Sequence, residues 1–193
     1  MPSDFFYFLS SLPLLRWGEK PFCSYSEFLT YAQSLLTDAE TALLANLSLC
    51  PSETSSATLP VVRAWEDWET FMRNALVSLR CQGDQAKADK WLRQERTGFA
   101  DMLRHLEEIM ALPNAWAREQ ALDRLRWQKL DELEDGHYYN FTAVVIYAYR
   151  LLLLNRQASW DDDQGGRVFA ALLEKTAAAA DSCRSNEESI DKG

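Results

Sequence analysis

The chain of 193 residues is 47% hydrophobic and 25% charged, which suits one medium domain or two small ones and excludes wholesale disorder. Seven Gly and six Pro are too few for a turn-dense sandwich or barrel. Lys and Arg total 20 against 29 Asp and Glu, a net charge of −9 that argues against nucleic-acid binding and against docking on anionic membranes.

The first apolar run, Phe5 to Leu9, has no helical spacing and is either a buried extended segment or the first turns of a helix. Residues 13–24 read as a loop around Pro13, Gly18 and Pro21. Ser24-Tyr-Ser-Glu27 and Thr37-Asp-Ala-Glu40 both fit the capping box, in which hydroxyl and carboxylate satisfy backbone N–H groups reciprocally. They predict helices over about 25–36 and 38–49. The polar stretch 51–59 is the best internal boundary, separating an N-terminal part (1–50) from a main helical domain (60–181).

From Pro60, Val61, Trp65, Trp68, Met72, Ala75 and Leu79 step by fours and threes along one helix face. A second seam follows Gly83-Asp84, through Ala88, Leu92, Phe99, Leu103, Leu106 and Met110. The two seams predict a long antiparallel hairpin over 61–82 and 85–111, with Gly98 inside its second arm. Asn114 caps a further helix that carries Leu122, Leu125, Leu130 and Leu133 and stops at Gly136. Asn140 or Thr142 opens a greasy helix to about Gln157. It is interrupted by Arg150 and falls short of the roughly 20 apolar residues a membrane span needs. An acidic turn at Asp161–Gly166, an Ala-rich helix over about 165–180 and a polar tail (182–193) complete the chain. The fold class is therefore all-α, a helical bundle with a long hairpin and a short N-terminal segment of open type.

The chemistry-bearing residues do not assemble into a catalytic or metal constellation. One turn on from His105, Ile109 cannot coordinate, which leaves Glu108, and two ligands do not make a site. His137 stands just past a helix end. The acids Glu66-Asp67-Glu69 and Asp131-Glu132-Glu134-Asp135 alternate with apolar positions, as solvated faces do. Taken as a calcium loop, the turn from Asp161 has Gly165 at the fifth position and Leu172 at the twelfth, where ligands belong. Cys23, Cys50, Cys81 and Cys183 lack close pairing, and Met1-Pro-Ser-Asp4 lacks the basic start of a secretory signal. Reduced thiols in a cytoplasmic protein are the expectation. No catalytic residue, cofactor or metal is expected.

The better clue is cationic residues set in apolar pattern. Arg126, Trp127 and Lys129 lie together on one helix, and Arg150 and Arg156 lie on the greasiest one. Such charges pair with the chain's own acids or face an acidic partner, and both readings stand at this point. The seven Trp, seven Tyr and nine Phe are likewise divided between core and partner surface.

Three stretches carry a resemblance. They are Phe5–Pro13 with Tyr25-Ser-Glu-Phe28-Leu29, then Trp65–Leu76, then Leu122–Leu133 with Phe141–Arg156 and the acidic turn to Gly165. In order and spacing they resemble a small, uncharacterised bacterial family encoded among the genes of V/A-type (vacuolar/archaeal-type) ATP synthases. The resemblance implies a C-subunit-like, non-catalytic part coupling the central stalk to the membrane rotor ring during proton or sodium transport. It would be cytoplasmic and peripheral to the inner membrane through its protein partners. A regulatory or assembly factor of that complex, or a generic helical protein-binding module, is the alternative.

Overall fold

A computed structural model describes residues 4–51, 58–81, 84–94 and 98–160. Among them are eight helices and no strand: α1 (Phe5–Ser11), α2 (Tyr25–Gln33), α3 (Asp38–Ala45), α4 (Pro60–Cys81), α5 (Gln85–Ala88), α6 (Ala100–Met110), α7 (Ala115–Glu134) and α8 (Phe141–Ala158). The chain divides into two compact units, Met1–Asn155 and Arg156–Gly193. The acidic turn, the Ala-rich helix and the tail expected beyond residue 160 lie outside the described residues.

The ambiguous N-terminal run is a helix. Asp4 Oδ1 accepts the Tyr7 N–H at 3.0 Å and caps α1, so Phe8 turns inward and is fully buried. Its ring lies 6.1 Å from Phe28, which in turn lies 5.8 Å from Tyr147 of α8. Residues on both sides of the 51–59 stretch thus feed one core. Both capping boxes form: Ser24 N–H donates to Glu27 Oε2 and Thr37 N–H to Glu40 Oε2, each at 2.8 Å. The helices they open end at Gln33 and Ala45, earlier than the sequence suggested.

Helix α4 is the central seam. Trp65 is fully buried, with its ring 4.8 Å from Tyr149 of α8 and 5.7 Å from Trp68. The expected second arm of the hairpin is not continuous. It breaks after α5 and restarts at α6, and Gly98 lies outside both helices. The cause is visible in Asn74, which is 3% exposed on α4. Its amide accepts the Arg93 N–H (3.0 Å) and donates to the Arg93 carbonyl (2.8 Å), as a paired strand would. Arg93 Nη1 also donates to the Pro51 carbonyl at 2.7 Å. The restart changes which face is buried: Met102 and Leu106 are inside, while Leu103, a predicted seam residue, is 44% exposed.

Asn114 caps α7, accepting from Ala117 N–H at 2.7 Å, and Gly136 follows that helix with φ +78°, the left-handed region glycine favours. Asn140, not Thr142, caps α8 through the Ala143 N–H. Helix α8 buries residues around most of its circumference, including Val144, Val145, Ile146, Leu151 and Leu153. Each such side chain contributes ~1.5–3 kcal/mol by leaving water. None of the described helices is long and apolar enough to cross a membrane.

Candidate interaction surface

The charged residues singled out in the sequence are mostly turned inward. Arg126 is 4% exposed and meets two carboxylates that are fully buried. Its Nε and Nη2 donate to Glu69 Oε2 (3.0 Å) and Oε1 (2.8 Å), and Nη1 donates to Asp123 Oδ1 at 2.7 Å. Arg73 Nε adds a bond to Glu69 Oε1 at 2.8 Å, so two cations balance two anions. Burial opposes the Arg126 charge, but the Glu69 carboxylate, and after it Asp123, hold the guanidinium protonated above its ordinary range. Glu69 corrects the expectation of a solvated acidic face. Its position at the α4–α7 contact puts it in the core, where only its arginine partners make the charge tolerable.

Trp127 is also a core residue, 7% exposed. Its ring meets Trp17 edge-on at 5.6 Å, with the Arg150 guanidinium 5.5 Å from its centroid. Arg124 lies over Trp17 at 5.5 Å, so two cations and two indoles tie the 13–24 loop to α7. Arg150 Nη2 also donates to Asp131 (2.6 Å) and Glu134 (2.7 Å). Lys129 pairs with Glu132 at 2.8 Å and lies 5.7 Å from the Phe99 ring centre. Arg156 belongs to the second unit, where its guanidinium sits 5.2 Å from the Trp160 ring centre. Of the five candidates, then, the structure joins Trp127 to Arg150, turns Arg126 toward Glu69, and leaves Lys129 on a groove wall.

That groove, about 460 Å³, is lined by Trp68, Phe99, Met102, His105, Leu125 and Gln128 besides Lys129 and Glu132. Among the described residues no group of three His, Cys, Asp or Glu could hold a metal ion. His137 Nδ1 lies 2.9 Å from the Asn140 amide nitrogen, a local contact at the end of α7.

The surface that sequence reading missed is aromatic. Phe6, Tyr7, Tyr138 and Tyr139 are 58%, 59%, 71% and 60% exposed. Phe6 and Tyr139 nonetheless touch, with ring centroids 4.8 Å apart. Beneath them Phe5 and Phe141 approach to 5.8 Å and pin α1 to the start of α8. The signal was in the sequence. Five consecutive apolar residues on a short helix cannot all face inward, and with Phe8 buried at 3.6 residues per turn, Phe6 falls on the opposite side of the helix.

Residues 85–179 match a family model described as "Protein of unknown function (DUF2764)". No curated protein and no solved structure matches the chain.

Proposed function

We propose that this chain is a non-catalytic, C-subunit-like component of a V/A-type rotary ATPase, linking the central stalk to the membrane rotor ring in proton or sodium transport. The observation that carries the protein-binding part of this reading is the exposure of large aromatic side chains on an acidic helical body. Besides the four at the α1–α8 end, Phe22, Tyr31, Trp91 and Trp116 are exposed by 38% or more. The touching pair Phe6 and Tyr139 is an exposed apolar surface of the kind found at contact sites, where aromatic anchors supply most of the binding energy. The assignment to this enzyme rests on the order and spacing of the three stretches that resemble the ATP synthase-linked family. In this role the protein is cytoplasmic and held at the inner membrane by its partners.

Co-expression of the tagged chain with the products of a V/A-type operon, followed by affinity purification, tests the proposal. Recovery of the central stalk and rotor ring with the chain is the expected result. A chain that purifies without any of those subunits would exclude it.

A further inference from the structure

We propose that the aromatic face centred on Phe6 and Tyr139 docks a basic, amphipathic segment of another protein. The inference rests on reading the chain as a protein-binding body, and adds the surface and the chemistry of its occupant. The face is preformed: the Phe5–Phe141 contact, with ring centroids 5.8 Å apart, fixes α1 against α8, so little ordering is needed on binding. Its charge is one-sided. Segments 4–11 and 131–141 contain Asp4, Asp131, Glu132, Glu134 and Asp135 but no Lys or Arg.

Three of these acids are neutralised internally, Asp131 and Glu134 by Arg150 and Glu132 by Lys129. Among the described residues Asp4 accepts the Tyr7 backbone N–H, and neither Asp4 nor Asp135 joins an ion pair. Both are exposed. Two such carboxylates, close in sequence to the exposed rings of Phe6 and Tyr139, favour the same complement, a cation on an apolar stem. Guanidinium and ammonium groups are attracted both to carboxylates and to the faces of Phe and Tyr.

The same charges disfavour the other occupants. Across a two-fold axis the face would meet a copy of itself and bring Asp4 and Asp135 against like charges. An anionic lipid surface would be repelled for the same reason. A lysine- or arginine-bearing segment with apolar residues on one side satisfies both components at once.

The test uses the full chain and a synthetic amphipathic helical peptide of leucine and arginine, with a second peptide carrying glutamate in place of arginine. Binding is followed by fluorescence anisotropy, and oligomeric state by sedimentation. The arginine peptide is expected to bind and the glutamate peptide not to. Combining Phe6→Ser with Tyr139→Ser should weaken binding by at least roughly tenfold. Combining Asp4→Asn with Asp135→Asn should weaken it at least roughly threefold, and salt should weaken it for the native chain. Asn caps a helix as well as Asp, so the second pair tests the surface with α1 intact even if the first pair disturbs folding.

Equal affinity of the native chain and the Asp4→Asn, Asp135→Asn variant would overturn the proposal, as would equal binding of the glutamate peptide. A dimer of the chain that Phe6→Ser dissolves would assign the face to a second copy instead. If the peptide binds as expected but no ATPase subunit co-purifies, the enzyme assignment falls and this surface stands. The converse result removes the surface alone.

Discussion

Arg126 grips the buried carboxylate of Glu69 through two hydrogen bonds, joining α7 to α4 across 57 residues of sequence. The fork of the guanidinium matches the two carboxylate oxygens, so the pair fixes the register of the two helices as well as their contact. Removing one member strands a charge in the core. Arg126→Met is therefore expected to cost ~3–5 kcal/mol, read as a fall in the urea midpoint. A loss below ~1 kcal/mol would mean that water reaches Glu69 and that the pair is not structural.

Asn74 does for the backbone of Arg93 what a neighbouring strand would do. Asn74→Ala leaves one backbone donor and one acceptor without that partner, at an expected cost of ~1–3 kcal/mol. Hydrogen exchange of the Arg93 amide gives a local reading. It should accelerate in the variant, and unchanged protection would contradict the clamp.

How much of this was legible in the sequence depends on the range of the interaction. The boxes at Ser24–Glu27 and Thr37–Glu40 and the cap at Asn114 act over three residues and were readable there, while Asn140 was one of two candidates with Thr142. The Trp65–Trp68 seam was readable because its period is that of a helix. The break between α5 and α6 was not, because Asn74 lies 19 residues from the backbone it holds. Arg126 likewise carried no local sign that its acid was Glu69. The sequence left open whether such cations pair inside the chain or face a partner, and for Arg126 the structure shows the first.

The Glu27 carboxyl is held below its ordinary value, first by the Ser24 backbone N–H and then by the Ser24 hydroxyl. Protonation is therefore harder in the folded chain than in the unfolded one. The stabilisation is complete above the ordinary glutamate value and is lost as pH falls through the depressed folded value. Glu27→Gln should flatten the acid limb of the stability–pH curve, measured as denaturant midpoints over a pH series. Parallel acid limbs for the two proteins would contradict this.

Three tyrosines impose a limit on the alkaline side. Burial raises the phenols of Tyr25, Tyr147 and Tyr149 well above their ordinary value, with Cys23 adding to the effect on Tyr147 and Glu66 to that on Tyr149. The stabilisation from their neutral forms is whole below about pH 10 and declines as pH rises through the folded values. In an alkaline titration these three of the seven tyrosines should yield tyrosinate absorbance only as helical circular dichroism is lost. Full ionisation of all seven with the helices intact would show that the three rings are accessible.

The proposed coupling role is tested most directly by ATP-driven ion pumping in membrane vesicles from cells lacking this chain. Pumping should collapse while ATP hydrolysis persists, and should return when the chain is restored. Undiminished pumping without the chain would contradict the proposed place between stalk and ring.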